Sequence, residues 1–80
     1  MSDPYIGEIR MFGGNFAPYG WMFCDGSLIS IADYSTLYNL IGTTYGGNGQ
    51  TTFALPDLRA AAPNGLTYSI CDQGVFPSRR

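Results

Sequence analysis

Cys24 and Cys71 are the residues of this 80-residue chain whose side chains could most readily do covalent chemistry. A catalytic cysteine needs a nearby base, and the chain contains no histidine. Two widely separated cysteines also lack the spacing of a zinc site. We therefore expect a structural role for both, as an intrachain disulfide, an interchain disulfide or two buried thiols. A disulfide of either kind would imply an oxidising compartment.

Asp25 and Asp57 are the carboxylates in the most distinctive local sequence. Asp25 precedes Gly26 and Asp57 follows Pro56, which are turn positions where a carboxylate accepts backbone N–H groups. A calcium site would need several more oxygen ligands close by in the sequence. We expect turn-forming aspartates, with Arg59 pairing with one of them through a bidentate contact, and neither a metal nor a cofactor.

The glycine-rich segment from Tyr45 to Gln50, which includes Gly46 and Gly47, suggests a phosphate-binding loop. It lacks the Gly-Lys-Ser/Thr ending of such loops, and the chain contains no lysine. The segment after it is β-branched and aromatic, which predicts a strand where a phosphate loop would have a helix. We expect a surface loop that packs against a neighbouring subunit, and no enzymatic activity.

The pattern along the chain predicts an α+β fold, mostly β, with many turns and one amphipathic helix at about 30–41. Asp25 and Gly26 are expected to form a hairpin turn between two of the strands. Trp21 and most other aromatic residues are expected in the core. A single domain is expected over 1–80, with 75–80 as a C-terminal tail. The expected strands are 5–12, 21–24, 27–29, 51–55 and 66–71.

Charged residues make up only 12% of the chain, and its net charge is −2. Without a cluster of Lys and Arg, nucleic-acid binding is not expected. No apolar run is long enough to span a bilayer, and no secretory leader is evident, so export would require lysis or a dedicated route. A small monomer normally relies on surface charge for solubility, so we expect copies of the chain to cover one another.

Three segments together resemble the phage tail collar domain family, which includes short tail fibre collars and microcystin-dependent proteins. They are Phe16–Gly26, Leu40–Gly49 and Phe53–Arg59, in the family's order and separated by the expected helix. The chain departs from the family at Ala60–Pro63, where members continue into a long glycine-rich region. The resemblance implies a structural role for Pro18, Gly20, Trp21, Asp25, Gly26, Gly46, Gly47, Leu55, Pro56, Asp57 and Arg59.

The resemblance and the composition together predict a self-assembling subunit of a phage-tail-like fibre or extracellular filament. Its partners would be copies of itself, as a trimer or a helical filament, and other tail proteins. The alternative is a trimeric adhesin module that binds a receptor or a cell-surface glycan through exposed tyrosines. The expected location is the virion tail or the extracellular space. The residues expected to mediate self-assembly are Tyr5, Ile6, Tyr68, Val75 and Phe76.

Overall fold

The computed structural model describes residues 4–14 and 16–77 as a set of short strands with one short α-helix, which confirms the predicted α+β class. A single 3-10 turn, Arg59–Ala61, precedes the last strand. The elements are β1 (Ile9–Phe12), β2 (Trp21–Phe23), β3 (Leu28–Ser30), α1 (Ser35–Ile41), β4 (Thr52–Ala54) and β5 (Thr67–Cys71).

The strands form two antiparallel sheets, one with the order β1-β5-β2 and one that pairs β3 with β4. The predicted hairpin at Asp25 and Gly26 is therefore wrong, because β2 pairs with the distant β5 and not with β3. A type I′ turn needs a positive φ at both central residues. Gly26 has a φ of 81°, whereas Asp25 is not among the described residues with positive φ.

The predicted strand at 66–71 exists and lies in the middle of its sheet. β5 is the central strand and pairs with β1 on one side and β2 on the other. The predicted strand at 5–12 is shorter than expected and begins at Ile9. Tyr5 contributes only an isolated bridge to Val75. The open edges of this sheet are thus β1 and β2.

Helix α1 begins at Ser35, later than predicted from the sequence. Ser30 belongs to β3, and its hydroxyl accepts a hydrogen bond from the Asp33 N–H at 3.4 Å within the turn before the helix. The helix ends at Gly42, which has a φ of 55° and donates its N–H to the Tyr38 carbonyl at 2.8 Å. So short a helix depends on packing, and Leu37 provides its buried contact.

The core lies where one face of the β1-β5-β2 sheet meets α1 and β4. Phe53 of β4 is fully buried, and the Tyr38 ring packs edge-on against it with the ring centroids 5.3 Å apart. The buried residues of this cluster are Ile6, Cys24, Leu37, Phe53, Leu55 and Ile70. In the described ranges, no helix is long and apolar enough to cross a membrane.

Candidate functional site

Two of the segments singled out in the sequence lie side by side in the fold. The Leu58 N–H donates to the Cys24 carbonyl at 2.9 Å, and the Leu55 N–H donates to the Ser27 carbonyl at 3.0 Å. Between these bonds, Asp25 and Asp57 form an isolated antiparallel bridge. Cys24 and Leu55 both reach the core. The two segments therefore form one antiparallel strap that is anchored to the core through apolar side chains.

The aspartates of this strap serve its own turns. The Asp25 carboxylate accepts the Ser27 N–H at 3.0 Å and the Ser27 hydroxyl as well. Gly26 allows the two segments to approach closely, because a Cβ there would lie 3.3 Å from the Asp57 Cβ on a backbone with a φ of 81°. The geometry matches the turn role expected for both aspartates.

Arg59 pairs with Asp57 in the bidentate manner expected for one of the two aspartates. Its Nε donates to Asp57 Oδ1 at 2.9 Å, its Nη2 donates to Oδ2 at 2.8 Å, and its backbone N–H also donates to Oδ1 at 3.2 Å. The Arg59 side chain, followed by its backbone N–H, lowers the pKa of Asp57 to about 2. Both side chains are exposed, so this pair adds little to the free energy of unfolding.

A groove of about 480 Å³ lies beside the strap. Burial, followed by the charge of Asp25, raises the pKa of Cys24 to about 11, so this thiol stays protonated at neutral pH and is a poor nucleophile. Among the described residues, no group of three or more His, Cys, Asp or Glu side chains could hold a metal ion. The groove is lined by Phe23, Cys24, Asp25, Leu58, Arg59, Ala62, Leu66, Thr67 and Tyr68.

Cys24 and Cys71 are both buried and unbonded. Of the three alternatives left open by the sequence, the structure matches two buried thiols. The strand register rules out an intrachain disulfide. Cys71 lies opposite Trp21, and the Cys24 N–H donates to the Tyr68 carbonyl, so the two cysteines are three positions apart along the β2–β5 pair. That offset corresponds to about 11 Å between Cα atoms and to opposite sheet faces, beyond the reach of a disulfide.

The glycine-rich loop packs on β4 of its own chain. The Ala54 N–H donates to the Gly46 carbonyl at 3.0 Å. A Cβ on Gly47 would lie 2.6 Å from the Thr52 carbonyl oxygen and would collide with the Phe53 Cα. The Asn48 Oδ1 accepts three successive backbone N–H groups, from Gln50, Thr51 and Thr52. The loop is therefore a rigid cover on β4.

Trp21 is half-buried and lies outside the core cluster, so its predicted core position is wrong. It projects from the face of the sheet opposite to that of Ile70, because it pairs with Cys71 in the register. There its ring packs edge-on against Phe12 with the centroids 5.2 Å apart, and the Arg10 guanidinium lies 5.7 Å from its centroid.

The turn before Trp21 is closed by backbone hydrogen bonds. The Trp21 N–H donates to the Pro18 carbonyl at 3.0 Å. The Gly20 carbonyl accepts the N–H groups of Asp72 at 2.8 Å and Gln73 at 3.3 Å. This turn therefore joins the segment Phe16–Gly26 to the end of β5. Pro56, in the segment Phe53–Arg59, is buried.

The residues predicted to mediate self-assembly divide into two groups. Tyr5, Val75 and Phe76 are 55%, 45% and 50% exposed, respectively. Ile6 is only 8% exposed and belongs to the core cluster, so its side chain offers little surface to a partner. Tyr68 is half-buried and packs against that cluster, so most of its ring is not available to a partner.

The start of the predicted C-terminal tail is bound to the N-terminal segment of the same chain. The Val75 N–H donates to the Pro4 carbonyl at 2.9 Å, and the Ile6 N–H donates to the Val75 carbonyl at 2.9 Å. Val75 is therefore part of the folded domain and not of a free tail. The rest of the predicted tail includes residues 78–80, which lie outside the described residues.

Sequence reasoning missed several exposed apolar residues on strands and loops. Ile9 and Met11 of β1 are 38% and 47% exposed, and Tyr19 is 90% exposed. Alternation along the sequence places Ile9 and Met11 on one face of a strand, but it does not reveal that β1 lies at the edge of the sheet. The others of this kind are Phe16, Leu28 and Tyr45.

Comparison with known proteins confirms the family suggested by the motifs. The family model described as "Phage Tail Collar Domain" matches residues 7–63. The short tail fiber protein gp12 of Enterobacteria phage T4 is 38% identical over 55 residues, which are 68% of this chain and 10% of that protein. This chain thus corresponds to about a tenth of the length of that relative. Because the family model covers most of the sequence, the chain belongs to the phage tail collar domain family.

Proposed function

We propose that this domain is a structural, self-assembling component of a phage-tail-like fibre or an extracellular filament, and that it has no catalytic activity. Its membership of the tail collar family supports this proposal, as does its similarity to a short tail fiber protein. On this proposal it works in the virion tail or outside the cell, in contact with copies of itself and with other tail proteins.

The observation that carries the proposal is the number of exposed large apolar side chains on so small a domain. Charged residues make up only 12% of the sequence, so little surface charge compensates for them. Exposed apolar side chains mark interaction sites where they adjoin one another, as Ile9 and Met11 do on one face of β1. The exposed side chains are Tyr5, Ile9, Met11, Phe16, Tyr19, Leu28, Tyr45, Val75 and Phe76.

Light scattering coupled to size-exclusion chromatography tests the proposal directly. The purified chain should elute as a closed oligomer or a larger assembly whose population grows with protein concentration, and electron microscopy should distinguish rings from filaments. A species of 8.7 kDa at every concentration and salt condition would contradict the proposal.

The glycan-binding alternative is favoured by one observation, the 90% exposure of Tyr19. An exposed tyrosine ring can stack on a sugar while its hydroxyl forms a hydrogen bond. If this alternative holds, a discrete small oligomer should bind a glycan array, and Tyr19→Ser should abolish the signal. The matched control is Tyr45→Ser, which removes another exposed tyrosine from a different loop.

A further inference from the structure

The outer edge of β1 presents unpaired backbone groups. The Cys71 N–H donates to the Glu8 carbonyl at 2.8 Å, while the Cys71 carbonyl accepts the Gly7 N–H at 2.9 Å. Gly7 and Glu8 therefore form a bulge opposite Cys71, in which the Glu8 carbonyl takes part in the first hydrogen-bonded pair of the β1–β5 ladder. Such pairs alternate along an antiparallel ladder, so the next ones are at Arg10 and Phe12. The N–H and C=O groups of Ile9 and Met11 therefore point away from β5. Within the described residues no hydrogen bond occupies them.

The side chains on this edge are also open to solvent. Ile9 is 38% exposed and Met11 is 47% exposed, and both project from the core-facing side of the sheet. Proteins usually protect an edge strand with proline, lysine, a bulge or a covering segment. The sequence of Ile9–Phe12 contains neither proline nor lysine, and its register with β5 is regular. The bulge at Gly7 and Glu8 lies before this stretch and leaves the edge from Ile9 to Phe12 open.

We propose that this edge pairs with the β1 strand of a second copy of the chain, antiparallel about a two-fold axis. In this arrangement Ile9 lies opposite the partner's Met11, and the three-stranded sheets of the two copies become one continuous sheet. The inference rests on the proposed function, because it names the contact through which self-assembly begins. It is β-strand addition in which the added strand is a copy of the edge itself.

The pattern of backbone groups selects this register. With Ile9 opposite the partner's Met11, every outward N–H and C=O of both residues gains a partner in each copy. If the register shifts by two residues, either Ile9 lies opposite the partner's Ile9 or Met11 lies opposite the partner's Met11, and only that one residue keeps a partner within the strand. The shift brings the other against Gly7 or Gly13, outside the strand. The chosen register also places each exposed apolar side chain beside another one, which is a stabilising cross-strand contact.

Glu8 and Arg10 are the charged residues on the other face of this edge. Glu8 and Arg10 form an ion pair with Oε2 and Nε 2.6 Å apart. Across the two-fold axis, Glu8 lies diagonal to the partner's Arg10, within reach of long side chains. The two Arg10 residues lie opposite each other, but each guanidinium is drawn towards the Trp21 ring of its own chain. Like charges directly opposite each other are destabilising, and here each Arg10 is neutralised by Glu8 of its own chain.

Proline at position 11 tests the edge without breaking the domain. Met11→Pro removes an outward N–H that makes no bond to β5, so the monomer should retain its fold, while association should weaken at least tenfold. Met11→Lys should have the same effect by placing a charge at the seam. The matched control is Leu28→Lys, at a residue that is 63% exposed on the other sheet. Sedimentation equilibrium gives the dissociation constants, and circular dichroism verifies folding.

A cysteine cross-link tests the register. In the proposed pairing, position 10 lies opposite itself at a non-hydrogen-bonded site, where Cα atoms are about 4.5 Å apart and within disulfide range. Arg10→Cys should therefore form a covalent dimer under mild oxidation. Ile9→Cys should not, because its equivalents are offset by two residues. A covalent dimer of the Ile9→Cys protein, with none for Arg10→Cys, would overturn the register.

The outcomes separate this inference from the proposed function. If the unaltered chain remains at 8.7 kDa under all conditions, both the proposed function and the pairing through β1 are refuted. If the unaltered chain assembles and the Met11 variants assemble equally well, self-assembly stands and pairing through β1 is refuted. If the Met11 variants lose association while Leu28→Lys retains it, the edge of β1 is the contact.

Discussion

Gly47→Ala is the substitution whose cost follows most directly from the structure. The backbone at Gly47 has a φ of 96°, which costs a side-chain-bearing residue about 1–2 kcal/mol. The added Cβ would also lie 2.6 Å from the Thr52 carbonyl oxygen and 2.9 Å from the Phe53 nitrogen. These neighbours are backbone atoms of β4 and can move only with the strand. Overpacking of this kind adds about 1–3 kcal/mol.

The expected loss is therefore about 2–5 kcal/mol, out of a total of about 4–12 kcal/mol for a domain of this length. The matched control is Gly65→Ala, because Gly65 has a similar φ of 84° but no atom within 4 Å of its added Cβ. Urea unfolding followed by the fluorescence of the single tryptophan measures both variants. Equal midpoints for the two proteins would refute the close packing of the loop on β4.

Four further perturbations test the core, the thiols and the strap. Phe53→Ala should lower the free energy of unfolding by about 3–5 kcal/mol, because the ring is fully buried. Trp21→Ala should lower the free energy of unfolding by clearly less than Phe53→Ala does. An equal loss for the two variants in urea unfolding would contradict the placement of Trp21 outside the core. Cys24 and Cys71 should react with a thiol reagent only after unfolding, so rapid modification of the native protein would refute their burial. The pKa of Asp57 is about 2 in the folded protein, below its ordinary value of 3.8. The ionised Asp57 therefore stabilises the fold fully above pH 3.8, and this stabilisation is lost as the pH falls through about 2. The difference in melting temperature between the unaltered protein and Asp57→Asn should therefore shrink on acidification, and a constant difference would contradict the ion pair with Arg59.

Local features of this fold could be predicted from the sequence because short-range chemistry determines them. The turn roles of Asp25 and Asp57 follow from their neighbours, Gly26 and Pro56. The bidentate geometry of Arg59 follows from the shape of its guanidinium group. The alternation from Glu8 to Met11 indicated the strand that became β1. In each case the residues that decide the structure lie within a few positions of one another.

The order of the strands could not be predicted in this way, because it depends on contacts between distant segments. The sequence Asp25-Gly26 is typical of a hairpin turn. In the structure, however, Gly26 allows the close approach of Asp57, and β2 pairs with β5 instead of β3. The misplacement of Trp21 has the same cause, since the face on which a residue lies is known only once its strand has a partner. The edge position of β1 was hidden for that reason too.

The geometry of the strap explains what the most distinctive residues of the sequence do in the fold. The Asp25 carboxylate accepts hydrogen bonds from Ser27, the Asp57 carboxylate accepts them from Arg59, and the Cys24 side chain is buried in the core. Residues committed in this way hold the two segments together and leave little capacity for a ligand. Any interaction specific to this chain must therefore depend on side chains that the fold does not require. Such side chains are found on the open edge of β1 and on the exposed aromatic loops, where substitutions can change the partner without unfolding the domain.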